Sequence, residues 1–249
     1  MRVTEFSGRA EPPPVAITRV GGSATATPRR KELIRHAAIA DILVAAEGVF
    51  AHAGFAGATM AEIAERAGLP KANLHYYFRT KATLYRAVLD HTMKLWLVET
   101  GGIRRDAHPA VALGDYIRAK MRLAAAHPDA SRVFANEMLH GAPQIGGYLR
   151  RELKALVDEK SQVIEHWADQ GLMDRVDARH LFFTIWASTQ TYADFRPQVC
   201  AVLGKPKLTK SELERASVQL VRVILKGCGV RDATPAEIQN TISSEPSRA

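Results

Sequence analysis

Cysteine is nearly absent from this 249-residue chain: only Cys200 and Cys228 occur, and they form no CxxC pair. A disulfide framework is therefore not expected, and the thiol content suits a reducing cytoplasm. None of the nine histidines stands in HExxH or another metal-ligand spacing, so no metal and no cofactor is expected. The GxSxG, GxGxxG and P-loop signatures are missing as well, which leaves an enzyme without a recognisable constellation. Glu137 and His140 form an isolated carboxylate–imidazole pair, too little to argue catalysis. No uninterrupted apolar run reaches the roughly 18 residues that span a bilayer. The first 28 residues, with Pro12-Pro13-Pro14 and Gly21-Gly22, hold no signal-peptide core. A soluble protein without a membrane partner is the expectation.

Hydrophobic residues, by contrast, are plentiful at 47%, ample for one or two packed domains. The formal net charge of +8 favours an anionic partner such as nucleic acid. It does not locate that partner: residues 1–90 carry 12 basic and 8 acidic side chains, and the remainder 22 and 18.

From Pro28 onward, apolar residues recur at helical spacing while strand-like alternation is scarce, so the fold class is all-α. The first helix is expected over 29–52, with Ile34, Ala38, Ile42, Ala45 and Val49 as its stripe. "TMAE" at Thr59 is a capping box for a short second helix, which stops at "AGLP". A third follows over "PKANLHYYF", and a long one opens at Thr80. Further helices are expected at 109–126, 128–139, 145–170, 177–196 and 211–226. Gly171 and Gly227 serve as C-terminal caps, and "SELE" at Ser211 reads as another capping box. The expected organisation is a flexible basic tail (1–28), a three-helix DNA-binding domain (29–91), a helical ligand-binding and dimerisation domain (92–228) and a polar tail (229–249). Arg2, Arg9, Arg19, Arg29 and Arg30 can add phosphate contacts, although disordered filler is the simpler reading for residues before about 25.

The stretch 59–78, "TMAEIAERAGLPKANLHYYF", has two short helices around a turn containing Gly68, the pattern of a helix-turn-helix. Ile63, Ala64 and Leu74 can pack the pair together. The second helix then presents Lys71, Ala72, Asn73, His75 and Tyr76. Lys71 and the helix N-terminus favour phosphate, and Asn73 can pair with a base edge. The plainer alternative, a small helical hairpin, fits Phe78 and partly Tyr77 as core residues.

"FAHAGFAGATMAEIAERAGLPKANLHYYFRTKATLYRAVLD" resembles the N-terminal domain of TetR-type transcriptional regulators. The resemblance rests on F-x-x-x-G-F from Phe50 to Phe55, I-A-x-x-A-G at 63–68 and L-x-Y-Y-F-x-x-K-x-x-L at 74–84. It implies that Thr59, Tyr76 and Lys81 hold phosphates while Lys71, Ala72, Asn73 and His75 face the groove. "YIRAKMRLAAAHPDASRVFANEMLHGAP", "LKALVDEKSQVIEHW" and "IWASTQTYADFRPQV" are similar to the pyrimidine-utilisation regulator branch of that family. That likeness implies a homodimer whose C-terminal domain takes uracil or thymine and thereby releases operator DNA.

One stretch of the expected last-but-one helix needs a separate account. In "LFFTIWASTQTYADF", Ser188, Thr189, Gln190 and Thr191 stand in a row within an apolar helix, where unpartnered polar groups cost a few kcal/mol each. Ser188 and Thr191 read as a close approach to another helix, or as hydroxyls bonded to their own helix's carbonyls. For Gln190 the residues alone leave two readings open: a Gln paired with a carbonyl beside a core Trp186, or an amide facing a ligand that packs on Trp186. Joined to the resemblance, the second makes Gln190 and Trp186 ligand contacts. Trp96 can join them from the long helix, and Phe134, Glu137 and Met138 can close the pocket. The expected function is thus a ligand-responsive DNA-binding regulator. A regulator answering an apolar effector and, more remotely, an enzyme acting on a small planar substrate are the rivals.

Overall fold

The computed structural model describes residues 28–231, and the expectations for both tails lie outside them. Among the described residues every regular element is helical. Helix α1 (Pro28–Gly57) leaves helical geometry at Gly54 (φ 68°, ψ 176°), a backbone conformation that a side chain would disfavour. Its Ile42, Ala46 and Phe50 are buried, spaced by fours, and Ala45 joins them; Ile34, expected in the same stripe, is exposed. The segment Glu32–Gly57 is long and apolar enough in composition to cross a bilayer. Burial of Ile42, Ala46 and Phe50 in the protein core accounts for that apolarity without a membrane.

Helices α2 (Met60–Arg66) and α3 (Lys71–Tyr77) form the helix-turn-helix. Thr59 caps α2 by accepting from the Glu62 amide at 3.2 Å, and Glu62 accepts in return from the Thr59 amide at 2.9 Å. The turn closes with Leu69 N–H donating to the Ala64 carbonyl at 2.9 Å, and Gly68 supplies the left-handed residue (φ 64°). Fully buried Ile63 and Leu74 lock the two helices together, each burial stabilising by about 1.5–3 kcal/mol. Helix α4 (Lys81–Val98) starts at Thr80, whose hydroxyl accepts from the Thr83 amide.

The C-terminal part comprises α5 (Pro109–Ala126), α6 (Pro128–Leu139), a single turn α7 (Gly146–Tyr148), α8 (Lys154–Asp169), α9 (Ala178–Asp194), α10 (Arg196–Val202) and α11 (Lys210–Gly227). Helix α9 lies at the centre and packs on α5, α6, α8 and α11. Leu113, Ile117, Ile164, Trp167, Phe182 and Ile185 form the interior there. A second cluster lies under the helix-turn-helix and extends beyond residue 91 to include Val133 and Ile145, with Phe134, Met138 and Leu149 against them.

Three local expectations are corrected. The helix expected over 145–170 is interrupted by a π-helical turn at Leu149–Leu153. Pro197 lies just beyond α9, in the first turn of α10, where its missing N–H has no intrahelical partner to lose. The capping box of α11 is Thr209 with Glu212, so Ser211 lies inside the helix. The left-handed residue that ends α11 is Gly229 (φ 57°), while Gly227 remains helical. Val230 N–H then donates to the Leu225 carbonyl and Gly229 N–H to that of Lys226.

Candidate functional site

On α3, Leu74 faces inward and the residues around it face out. Lys71, Ala72, Asn73, His75 and Tyr76 are all exposed, Tyr76 at 81%. A large aromatic left so open contributes nothing to the core; its phenol, stacked edge-on against Tyr77 at 5.3 Å, is available to a partner. His75 Nδ1 lies 3.4 Å from the Arg79 carbonyl. Two of the expected phosphate contacts are engaged internally. The Thr59 hydroxyl is committed to the capping box. Lys81 donates to the carbonyls of Ala56 at 3.1 Å and Ala58 at 2.8 Å, and its ammonium sits 4.8 Å from the Phe55 ring centroid. Lys81 thereby fastens the start of α4 to the chain entering α2.

The polar row in α9 separates by direction. The Thr189 hydroxyl, fully buried, donates to the Ile185 carbonyl at 2.8 Å, and Thr191 donates to that of Ala187 at 2.8 Å. These two need no partner outside their helix. Gln190 points instead into a small cavity of about 40 Å³, lined also by Met93, Trp96, Leu97, Tyr116, Lys120, Phe134, Leu153 and Trp186. Trp96 and Phe134 meet edge to face at 4.9 Å. Trp186 is held in place by its indole N–H, which donates to the Tyr116 hydroxyl at 2.7 Å.

Of the six residues expected at the ligand, the cavity gathers Trp96, Phe134, Trp186 and Gln190 and leaves out Glu137 and Met138. The reason lies in helix geometry. Glu137 and Met138 are about one turn beyond Phe134 on α6, displaced by roughly 5–6 Å along the axis. Glu137 there accepts from the Gln144 amide at 2.6 Å and pairs with the Tyr85 hydroxyl. Met138 packs into the cluster beneath the helix-turn-helix. His140 pairs with the Asn136 carbonyl at 2.7 Å, so it and Glu137 do not form a dyad.

Five lining residues escaped the sequence reasoning: apolar Met93, Leu97 and Leu153, and polar Tyr116 and Lys120. Lys120 is 3% exposed and its ammonium sits 4.0 Å from the Trp96 ring centroid. Burial pulls its pKa down to about 7, and the nearby Asp194 carboxylate opposes the shift. Asp194 accepts from the Ser131 hydroxyl at 2.6 Å, and burial raises its own pKa. A signal for Lys120 was present: Leu113, Tyr116, Ile117, Lys120, Met121 and Ala124 follow the three-and-four spacing of one helix face.

Residues 42–88 match the model of the bacterial regulatory proteins, tetR family, and residues 89–231 that of the YcdC-like protein, C-terminal region. The chain belongs to the TetR family. It is 44% identical over 186 residues to the HTH-type transcriptional regulator RutR of Escherichia coli (strain K12), across 75% of this chain and 88% of that protein. RutR of Shigella flexneri matches equally. Two solved structures share the fold. A transcriptional regulator from Streptomyces coelicolor superposes with a TM-score of 0.61 at 24% identity, covering 77% of this chain and 98% of that one. AibR in complex with isovaleryl coenzyme A and operator DNA gives 0.58 at 20% identity, with coverage of 75% and 97%. This TetR-family chain is a ligand-responsive, DNA-binding transcriptional regulator.

Proposed function

We propose that this regulator works in the cytoplasm as a homodimer, reads operator DNA with α3, and lets go when a pyrimidine dione, uracil or thymine, occupies the cavity beside Gln190. The observation that carries the proposal is that Gln190 and Lys120 line the same small space between Trp96, Trp186 and Phe134. The Gln190 amide offers a donor and an acceptor side by side, the complement of an N–H/C=O edge. The Lys120 ammonium supplies donors only, which suits a second carbonyl oxygen and opposes the amino group that cytosine carries there. The aromatic walls give a flat ring its apolar contact.

The reading contacts on α3 are Lys71, Ala72, Asn73, His75 and Tyr76, with the Thr59 and Lys81 positions bordering the backbone. Exposed Val218 and Val223 on α11 supply an apolar face for a second copy. Dimerisation would set two α3 helices on successive major-groove turns, roughly 34–36 Å apart. The effector would act by preferring a conformation with the wrong spacing, and DNA must then weaken effector binding by the same factor. The role is regulatory and not catalytic, as the family membership and the separate engagements of Glu137 and His140 support.

An apolar effector is the second reading, favoured by Met93, Leu97 and Leu153 in the same lining. Calorimetric titration with uracil, thymine and cytosine, paired with release of operator DNA, separates the two. One site per subunit for the diones, with cytosine rejected, is the expected result. Binding of none of the three would overturn the pyrimidine assignment and leave the DNA-reading assignment intact.

A further inference from the structure

The cavity is too small as it stands. Roughly 10–15 Å³ of such space holds one water, so the 40 Å³ beside Gln190 admits a few waters and no pyrimidine ring. Something must move for an effector to enter, and three observations converge on one place. Leu153 and Trp186 line this cavity and also line an outer cleft of about 300 Å³ between α8 and α9, walled by Leu149, Val157 and Phe183. A thin partition of two side chains thus separates the inner space from a much larger outer one.

Leu153 is also the last residue of the π-helical turn Leu149–Leu153. A π-turn carries wider, less regular hydrogen bonding than the α-helix on either side. Its reversion to α geometry would turn the following side chains by about 100° around the axis, one residue's worth of rotation. Gly146 and Gly147, poor helix formers, precede it with only Tyr148 between. Finally, an ion pair spans the rim of the cleft: Asp158 on α8 accepts from Arg179 on α9 at 2.8 Å and also from Lys154. These side chains are solvent-facing, and a pair of that kind opens easily.

Building on the pyrimidine reading of the cavity, we propose that the outer cleft is the effector's entry site and Leu153 its gate, moved by the π-turn and latched at the rim by Asp158 with Arg179. The Trp186 ring, shared by both spaces and 5.8 Å from Phe183, gives an entering planar ring a continuous aromatic surface.

The test uses the full-length protein and stopped-flow tryptophan fluorescence on mixing with uracil. Asp158→Asn removes the latch without touching the inner cavity. It should raise association and dissociation rates together, by about three- to tenfold, with the equilibrium constant unchanged. Leu153→Ala should raise both rates further. In parallel, acrylamide quenching of the unliganded protein reads access to Trp96 and Trp186 over the constant background of fully buried Trp167; it should increase in Leu153→Ala and fall in Leu153→Phe. Rates and quenching that match the unmodified protein in all three variants would overturn the gate. If uracil does not bind at all, the pyrimidine reading fails while the quenching series still decides the gate: a graded response upholds it, and a flat one removes it.

Discussion

The outer face of α3 and the inner face of α9 both present polar side chains from a helix fixed by apolar neighbours, but they solve opposite problems. On α3 the polar groups are in water, displayed on a seven-residue helix whose buried anchor is Leu74. Such groups lose little by being left unpaired, so they can wait for a charged duplex, and what they gain from it is screened by salt. On α9 the groups lie deeper, with Thr189 fully buried and Gln190 partly so. Thr189 and Thr191 are satisfied by their own helix, and only Gln190 is turned to the cavity. Enclosed donors discriminate strongly, because a ligand that fails to match leaves them desolvated and unpaired. The exposed face can therefore tolerate weak individual contacts, whereas the enclosed one depends on each of its few.

This contrast can be broken most severely at the anchor of α3. Leu74→Ala should cost about 2–5 kcal/mol of stability through the cavity it leaves, measured by denaturant unfolding, and should reduce operator affinity more than effector affinity. On the enclosed face, Gln190→Ala should weaken uracil binding by about 1–3 kcal/mol, with operator affinity in the absence of effector nearly intact. Loss of dimerisation in that variant would instead place Gln190 at the subunit interface.

Lys120 makes effector binding depend on pH. A bound carbonyl favours the charged form of Lys120, so its pKa in the complex lies above the value of about 7 in the free protein. Uracil affinity should be flat below pH 7 and decline as pH rises past it, a decline that Lys120→Met should abolish in calorimetric titrations. On the exposed face, Lys71→Ala should lower operator affinity about equally for all sequences and flatten the salt dependence by roughly one unit of slope. An unchanged slope would remove Lys71 from the phosphate contacts.

The smallest effect is expected at Glu47, whose Oε1 is buried without a hydrogen-bond partner and whose pKa is raised to about 7 by burial and, secondarily, by Asp129. The folded state then holds a proton that the unfolded state gives up near the ordinary carboxylate range, so stability falls as pH rises from about 4.5 to 7. Glu47→Gln should raise the melting temperature at pH 8, by roughly 2–4 °C for each kcal/mol recovered, and leave it nearly unchanged at pH 4.

Sequence reading succeeded where a local chemical rule acts alone. Thr59 with Glu62 and Gly171 after α8 both cap as their residue types require. It failed where two local solutions competed: Thr209 and Ser211 both offer a capping box with a glutamate three residues on, and hydrogen bonding alone does not choose between them. The π-turn carries no residue signature, since Leu149 to Leu153 suit an ordinary helix. In the cavity, spacing put Trp186 and Gln190 on one face of α9, but the choice between core and ligand contact came from the family resemblance. Lys120 was overlooked because a lysine is usually solvated, although its position in the stripe of α5 placed it inside. Glu137 and Met138 were misplaced because adjacency in sequence to Phe134 says nothing about which of two neighbouring clusters each side chain reaches.

Phe134 itself has a wider consequence. Its ring walls the cavity against Trp96 and also packs into the cluster beneath the helix-turn-helix. A single aromatic thus serves two masters, and neither neighbourhood can be redesigned in isolation. Anyone retuning this protein as a biosensor for a bulkier molecule by trimming Phe134 would shift its background output in the absence of analyte as well as its chemical taste. Variants selected for a new inducer should accordingly arrive with altered leakiness, and restoring a quiet baseline would take compensating changes around Val133 and Ile145, away from the molecule being sensed.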